Sequence, residues 1–204
     1  MPASASACTV TYIEALPLVG RDAGRILADY SAMRGEMPGV ASVDLLARDG
    51  EAGQFVLIET GTLAAISDDA ATAARDAALA PLLLAPCDVR THGALSVVGA
   101  VDIAPGPDAV WIVTHVDIVP AHKDVGIARV ARHANTSRSE RGCLRLEAWQ
   151  QTDRHNHVTL VEIWTDGGAR DDHRAADDTR GYRDYLASLT GAPYDERRYT
   201  HYTG

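Results

Sequence analysis

An internal repeat limits the architecture of this chain more than any other feature of its sequence. The two halves of the 204-residue chain match at an offset of 103 residues. The identical pairs are Val10 and Val113, Thr11 and Thr114, Pro17 and Pro120, Ala28 and Ala131, Gly39 and Gly142, Leu57 and Leu160, and Glu59 and Glu162. Near the end of each half the offset becomes 107, where APCDVR at 85–90 matches APYDER at 192–197. A long internal period of this kind indicates two diverged copies of one unit.

The boundaries of the two copies follow from the repeat and from local composition. We predict the first copy at 1–98 and the second copy at 109–204. Each is close to the most common domain size, so each can bury a modest core of its own. The segment 99–108 between them is rich in Gly and Pro, which is typical of a linker.

Hydrophobic patterning predicts the same order of elements in both copies. The predicted strands of the first copy are 9–15, 40–47, 54–60 and 88–97, and its predicted helices are 23–34 and 67–84. The predicted strands of the second copy are 111–119, 143–149, 158–164 and 196–202, with one helix beginning at Asp124 and another carrying Tyr182 and Tyr185. This βαββαβ order is the ferredoxin-like arrangement, in which both helices cover one face of an antiparallel sheet. The fold class is therefore α+β, and the second copy is expected to cover the open sheet face of the first as an intramolecular pseudo-dimer.

The amino-acid composition limits the kinds of molecule that the protein is expected to bind. The formal net charge is −9 and Lys123 is the only lysine, which argues against binding to nucleic acid or to anionic membrane surfaces. No stretch approaches the roughly 20 apolar residues that span a bilayer, and the first ten residues do not resemble a secretory signal, so a cytoplasmic location is predicted. Cys8, Cys87 and Cys143 have neither metal-ligand spacing nor the density of a disulfide scaffold. An uncharged or aromatic small molecule is the better candidate partner.

The two copies differ at positions that bear on chemistry. The second copy reads EIWTDGGARDDH at 162–173, where the first copy reads ETGTLAAISDDA at 59–70. Trp164 and His173 thus stand where the first copy has Gly61 and Ala70. This difference predicts that the first copy is a scaffold and that the one functional pocket lies in the second copy.

The run SRSERGCLRLEAWQQTDRHNHVTLVEIWTDGGARDDH at 137–173 resembles the antibiotic biosynthesis monooxygenase family of dimeric α/β barrels. The features that match are Ser137 to Glu140 before Gly142, the strand that ends in Glu162-Ile163-Trp164, and a histidine nine residues after that tryptophan. The resemblance covers about 90 residues of the second copy, and the first copy only in outline. The family often has Glu-Pro-Gly before the second strand. Here Arg141 replaces the proline in the second copy, while Pro38-Gly39 keeps it in the first.

The resemblance implies that the two ferredoxin-like repeats form an intramolecular dimeric α/β barrel. It also implies a monooxygenase that oxidises phenols, anthrones or quinols with O₂ and uses no flavin or metal, so no cofactor is expected. Such chemistry needs few protein groups, because a deprotonated electron-rich aromatic can itself pass an electron to O₂.

Three residues are the candidate catalytic groups. His173 is the natural base, because imidazole exchanges protons near neutral pH. Trp164 offers a flat apolar wall and an N–H donor to an aromatic ring. Strand alternation places Glu162 on the same sheet face as Trp164, so it could orient His173 or act as the base. Glu59 keeps this glutamate in the copy without Trp or His, which supports a structural role for Glu162 equally well.

Four residues are weaker candidates for substrate binding. His115 lies in the middle of a strand, Tyr182 and Tyr185 lie on one predicted helix, and Arg138 lies at a predicted helix end. For all four, a structural role is the alternative: a satisfied core histidine, core packing of the tyrosines, and pairing of Arg138 with the helix dipole.

Two other functions stay open at the level of sequence. The protein could be a module that binds a small apolar ligand without turnover. It could also bind or degrade haem, with His173 as the axial ligand of the iron. The expected partners under the main hypothesis are a small aromatic substrate and O₂, and the sequence leaves open whether the pseudo-dimer forms a further homodimer.

Overall fold

The computed structural model of the chain describes residues 6–67, 69–99 and 104–204. The elements of the first copy are β1 (Ser6–Glu14), α1 (Gly20–Gly35), β2 (Val40–Arg48), β3 (Gln54–Thr62), α2 (Leu63–Ile66), α3 (Ala70–Leu79) and β4 (Asp88–Ala94). The elements of the second copy are β5 (Val110–Asp117), α4 (Lys123–Ser137), β6 (Cys143–Gln151), β7 (His157–Trp164), α5 (Gly167–Ala175), α6 (Asp177–Ala187) and β8 (Asp195–His201). Short 3₁₀ turns follow α3 at Ala80–Leu82 and precede α4 at Pro120–His122.

The βαββαβ order predicted from the sequence is confirmed in both copies, but the last helical region of each copy contains two helices where one was predicted, α2 and α3 in the first copy and α5 and α6 in the second. A single helix was predicted at 67–84, but α3 spans only Ala70–Leu79, and a separate short helix, α2, precedes it at Leu63–Ile66. The Thr62 hydroxyl accepts a hydrogen bond from Ala65 N and caps α2, and the Asp69 carboxylate accepts one from Thr72 N and caps α3. Two caps this close together start two helices instead of one. Pro81 then falls in the 3₁₀ turn that ends the helical region.

Antiparallel pairing fixes which residues share a sheet face. In the first copy β3 lies between β1 and β2, with Ser6 opposite Thr62 at one end of the β1 pairing. In the second copy β7 lies between β5 and β6, with Val110 opposite Trp164. The order of all eight strands is β1-β3-β2-β8-β5-β7-β6-β4, hydrogen-bonded as a closed barrel. The α+β class and the dimeric α/β barrel predicted from the resemblance are therefore confirmed.

Contacts between Cα atoms divide the chain into two units. The first unit is Met1–His92 together with Tyr199–Gly204, and the second unit is Gly93–Arg198. The end of β8 thus belongs to the first unit, where Tyr199–His201 pair with Leu46–Arg48 of β2. The repeat-based boundaries at 1–98 and 109–204 stay a prediction, and positions 100–103 of the predicted linker lie outside the described residues.

Each unit has its own apolar core. The core of the first unit includes Ile13, Ala23, Leu27, Leu45, Phe55, Leu57 and Leu79. The core of the second unit includes Ile118, Val130, Leu146, Leu160, Trp164, Tyr182 and Leu186. Burial raises the pKa of the Cys143 thiol to about 12, which keeps this thiol protonated at the edge of the second core. Among the described residues, no helix combines the length and the apolar character that crossing a bilayer requires.

Candidate active site

The structure brings together the three residues predicted to be catalytic. Glu162 and Trp164 lie two residues apart on β7, and His173 lies on α5. The indole Nε1 of Trp164 donates a hydrogen bond of 2.9 Å to Glu162 Oε2. The Trp164 and His173 rings stack with their centroids 4.6 Å apart and their planes at 29°. We call Glu162, Trp164 and His173 the Trp164 cluster.

A tight turn and a helix cap place His173 over the indole. Asp166 follows β7, and its Oδ1 accepts a hydrogen bond of 2.9 Å from Ala169 N, which begins α5. This backbone hydrogen bond lowers the pKa of Asp166, so the cap stays ionised. The turn packs closely on Gly142, where an added Cβ would lie 2.5 Å from Ala169 Cβ, and Gly142 has a φ of +82°. A larger residue at this position would therefore push α5 away from the sheet.

His173 is buried and lies in the last turn of α5. Its side chain is only 1% exposed. Its Nδ1 lies 2.8 Å from Glu140 Oε2 and 3.3 Å from Thr179 Oγ1. A carboxylate only accepts hydrogen bonds, so Nδ1 carries the proton when Glu140 is ionised and Nε2 keeps the lone pair. The ring is therefore oriented as a base whose free atom is Nε2.

The negative charge of Glu162 is balanced by a buried arginine, Arg170, which was not among the residues predicted from the sequence. Arg170 Nε lies 3.3 Å from Glu162 Oε2, and Arg170 Nη2 lies 2.8 Å from Glu196 Oε2. None of the Arg170 nitrogens makes a hydrogen bond of good geometry within the described residues, so these contacts are ion pairs held by charge. Arg170 precedes His173 by three residues, and helical spacing could have revealed that both face the sheet.

Aromatic rings extend the cluster on its helical side. His133 of α4 stacks on Tyr182 with centroids 3.8 Å apart, and it lies 5.4 Å from the His173 ring. Burial, followed by repulsion from His173 and nearby arginines, lowers the pKa of His133 to about 3. Burial likewise raises the pKa of Tyr182 well above its ordinary value. Both rings are therefore neutral at working pH and pack as aromatic walls. His133 was missed because it looks like any other residue on an amphipathic helix.

The other three predicted binding residues lie elsewhere. His115 pairs with Thr159 across the strands, on the sheet face opposite to Trp164, and its Nδ1 lies 3.3 Å from the Thr159 hydroxyl. Tyr185 is 44% exposed on α6. Arg138 donates hydrogen bonds to the backbone oxygens of Val97, Gly99 and Leu146. The structure therefore brings Tyr182 to the surroundings of the Trp164 cluster, but not His115, Tyr185 or Arg138.

The described cavities of the second unit lie beside the cluster and not on it. A groove of about 820 Å³ is lined by Arg183, Tyr194 and Glu196 among others, and a second of about 500 Å³ is lined by Tyr185 with residues of α4. No residue of the Trp164 cluster lines either of these two cavities. The larger groove reaches the cluster through Glu196, because Arg170 contacts both Glu196 and Glu162.

The first unit keeps the glutamate in a different setting. Arg34 Nε donates a hydrogen bond of 2.7 Å to Glu59 Oε1, and the Tyr30 hydroxyl lies 3.3 Å from the same oxygen. Gly61, which stands in place of Trp164, allows no side chain, because an added Cβ would lie 2.4 Å from Gly39 O. A cavity of about 240 Å³ nevertheless lies at Glu59. The sequence predicts one functional pocket, in the second copy, whereas the structure has cavities in both units.

Comparison with known proteins identifies the second copy. Residues 109–185 match the family model described as Antibiotic biosynthesis monooxygenase. The second copy is an antibiotic biosynthesis monooxygenase domain. The matched residues include the whole Trp164 cluster, and the resemblance predicted from the sequence is confirmed for this part of the chain. No curated protein matches the chain at a significant level.

Solved structures of similar fold extend the likeness over both copies. A candidate monooxygenase from Fusobacterium nucleatum is 15% identical and matches with a TM-score of 0.87 over 99% of this chain and 94% of that one. A candidate monooxygenase from Lactobacillus acidophilus is 13% identical, with a TM-score of 0.74 over 98% and 97% of the two chains. An anthrone oxidase-like protein is 10% identical, with a TM-score of 0.68 over 97% and 91%. At such low identity these matches show a shared fold alone, which extends over both copies.

Proposed function

We propose that this protein is a monooxygenase that oxidises a small electron-rich hydroxyaromatic molecule with O₂ and without a cofactor. The observation that carries the proposal is the Trp164 cluster, in which a buried imidazole stacks on an indole within the segment that matches the monooxygenase family model. A base beside a flat apolar wall is what the deprotonation of a phenol or an anthrone requires.

His173 acts as the general base in this proposal. Its Nε2 accepts the proton of the substrate, and the Glu140 carboxylate at Nδ1 stabilises the imidazolium that forms. The resulting carbanion or phenolate passes an electron to O₂, and the radical pair combines into a peroxide. For an activated CH₂ group, R₂CH₂ and O₂ give R₂CH–OOH, which loses water to leave R₂C=O. One oxygen atom enters the product and the other leaves as water, so no external reductant is consumed.

Arg170 stabilises the negative charge that develops. Its guanidinium is buried, and its N–H groups make no hydrogen bond of good geometry within the described residues. A buried cation favours an oxyanion more strongly than solvent does, and neither glutamate engages Arg170 Nη1. The groove at Glu196 is the route of approach in this proposal, and its volume of about 820 Å³ is within the usual range for small-molecule sites.

The test is O₂ uptake by metal-stripped protein against a panel of hydroquinones, naphthoquinols and anthrones. His173→Ala is expected to lower the rate by roughly 10²- to 10⁴-fold, the usual contribution of a positioned general base. His155→Ala is the matched control, because it removes an exposed loop imidazole of the same unit. Uptake that persists in the His173 variant at the rate of the His155 variant contradicts the proposal.

The closed packing of the cluster favours one alternative, a module that binds a small apolar ligand without turnover. No residue of the cluster lines the two grooves described for the second unit. Ligand-induced thermal stabilisation without O₂ uptake would support this alternative.

The residues do not fit the haem alternative. The His173 side chain is 1% exposed, its Nδ1 is bonded to Glu140 and its face is covered by Trp164. An axial ligand needs a nitrogen that opens onto space for the porphyrin.

A further inference from the structure

An apolar groove lies at the corner of the first unit where β1 leads into α1. Its volume is about 960 Å³, and all of its lining residues belong to the first unit. Phe55 and Tyr202 form part of its wall. Three leucines of the lining are open to solvent: Leu16 is 36% exposed, Leu84 is 54% exposed and Leu18 is fully exposed. We call these three residues the leucine patch. Exposed apolar residues that share one groove, unlike scattered ones, are typical of an interaction surface.

Leu18 has a backbone conformation that leucine rarely adopts. Its φ is +74°, and among the described residues it is the only residue other than glycine with a positive φ. This left-handed region is unfavourable for a residue with a Cβ, and glycine would adopt it without strain. Because the Leu18 side chain is fully exposed, it adds nothing to the core of its own unit. The strain therefore points to a role for this side chain outside its own unit.

The second copy has smaller side chains at the positions equivalent to the leucine patch, namely Val119, Ala121 and Gly191. The first two correspond to the first two leucines at the offset of 103, and the third corresponds to Leu84 at the offset of 107. An apolar surface of this kind is thus a property of the first unit and not of the repeated fold.

Five charged side chains line the groove, namely Glu14, Arg21, Asp22, Arg48 and Glu51. Three of them have partners close by in the chain fold. Asp22 lies 3.5 Å from Arg25, and Gln54 links Arg48 to Glu14 through hydrogen bonds of 2.7 Å and 3.2 Å. Arg21 and Glu51 are exposed, and within the described part of the chain neither makes an ion pair. The groove therefore presents one unpaired cation and one unpaired anion.

One unpaired charge of each sign on a single surface is complementary to the same surface of a second copy. In a two-fold symmetric interface, each residue contacts its partner residue on the other protomer, and the reverse contact is made as well. Arg21 of each protomer then meets Glu51 of the other, which gives two symmetry-related ion pairs around the leucines. A surface with charges of one sign would repel its own copy instead.

The same charges oppose contact with the equivalent end of the second unit. At the offset of 103, Arg21 corresponds to Asp124 and Glu51 corresponds to Arg154. A contact of the same geometry between these two ends places Arg21 against Arg154, and the two carboxylates against each other. Like charges disfavour the wrong partner surface. The association is therefore expected to close at two copies and not to continue as a filament.

We propose that the leucine patch is the interface of a homodimer, which forms with the same patch on a second copy of this chain. Leu18 of each protomer packs into the groove of the other, and Arg21 pairs with Glu51 across the two-fold axis. No residue of the Trp164 cluster lines this groove, so the proposal does not depend on oxygenase activity.

The test is sedimentation velocity of the whole chain from about 1 µM to about 1 mM. A reversible monomer–dimer equilibrium is expected, with a Kd of about 1–100 µM, because a single groove is a small interface. A chain that stays monomeric up to about 1 mM overturns the proposal and indicates that a different molecule occupies the groove. Assemblies that grow beyond two copies overturn it as well.

Variants of Leu18 test whether the patch forms the interface. Leu18→Ser and Leu18→Gly are both expected to raise the Kd of the dimer at least about tenfold. The midpoint of urea unfolding of the Leu18→Gly monomer is not expected to fall, because glycine relieves the strain at positive φ. Val125→Ser is the matched control, because it removes a 46% exposed apolar side chain of the second unit, and it is expected to leave the Kd unchanged. A dimer that keeps its wild-type Kd in both Leu18 variants overturns the proposal.

Reversal of charge tests the two ion pairs. Arg21→Glu and Glu51→Arg each place like charges opposite one another in the dimer, and each is expected to raise the Kd at least about tenfold. An equimolar mixture of these two variants is expected to dimerise with a Kd near that of the wild type. In that mixture one protomer presents two negative charges and the other presents two positive charges. A mixture that associates no better than either variant alone contradicts the pairing of Arg21 with Glu51.

Discussion

Glu59 and Glu162 occupy equivalent positions in the two copies, yet their charges are balanced from different parts of the fold. Glu59 is bonded by Arg34 of α1, at 2.7 Å. Glu162 is bonded by Trp164 on its own strand, at 2.9 Å, and paired with Arg170 of α5, at 3.3 Å. The glutamate is shared while its partners are not. This supports a structural role for the carboxylate in both copies, so a difference in chemistry between the copies depends on the residues around it.

The largest expected effect comes from removing the arginine that each glutamate depends on. Arg34→Met is expected to lower the free energy of unfolding by about 3–5 kcal/mol, because Glu59 is left as a buried charge with its closest partner gone. Arg170→Met should cost less, since Arg170 Nε lies 3.3 Å from Glu162, whereas Arg34 Nε contacts Glu59 at 2.7 Å. Urea unfolding of the two variants, followed by separate probes for each unit, measures the difference. A larger loss of unfolding free energy in the Arg170 variant than in the Arg34 variant would contradict this expectation.

A pH-dependent difference in stability between the two units is expected from His133. Tyr30 occupies the equivalent position in the first copy. The pKa of His133 is about 3 in the folded protein and near 6.5 when unfolded. The unfolded chain therefore binds the proton first, so stability is fully present above pH 6.5 and is lost as the pH falls toward 3. Between pH 7.5 and pH 5 the loss attributable to this group is about 2 kcal/mol.

His133→Phe keeps a ring against Tyr182 and removes the titration. The stability of this variant should fall less than that of the wild type between pH 7.5 and pH 5, as measured by urea unfolding at both values. If the wild type and the variant lose the same free energy of unfolding between the two pH values, His133 is not kept neutral by burial.

The smallest expected effect concerns Arg138, whose counterpart at the repeat offset is Gly35. Arg138→Ala removes hydrogen bonds to three backbone oxygens and should lower the free energy of unfolding by about 1 kcal/mol. KM for any substrate found in the O₂ assay should stay the same, because the guanidinium lies away from the Trp164 cluster. A raised KM with an unchanged free energy of unfolding would indicate that Arg138 does contribute to substrate binding.

The elements could be predicted because they depend on short-range patterns, whereas the barrel was predicted from the resemblance to a known family. Alternation along β7 was enough to place Glu162 and Trp164 on one face, and nine residues of spacing brought His173 back over them. The short helix α2 and the start of α3 at Ala70 were missed because the caps at Thr62 and Asp69 look like ordinary polar residues until the backbone is seen to turn there.

The partners of the site could not be predicted because they come from distant parts of the chain. Glu140 is 33 positions from His173, and no local pattern marks it as the group that holds the imidazole. The cavity in the first unit lies at Glu59 and is lined by residues of β1, β3, α2, α3 and β4. Sequence comparison of the copies registered the lost tryptophan and histidine but not the cavity at Glu59.

The grouping of Tyr199–Gly204 with the first unit has a consequence for synthesis. Tyr202 packs on Phe55 at 5.2 Å and closes against Gly24 of α1, where an added Cβ would meet its hydroxyl. A ribosome makes residues 6–92 long before residues 199–204. The first unit is therefore translated first, but it cannot complete its fold until the end of the chain has been made. Its core stays partly uncovered while the second copy is being made, and a nascent chain arrested before position 199 should be more sensitive to protease in its first half than in its second.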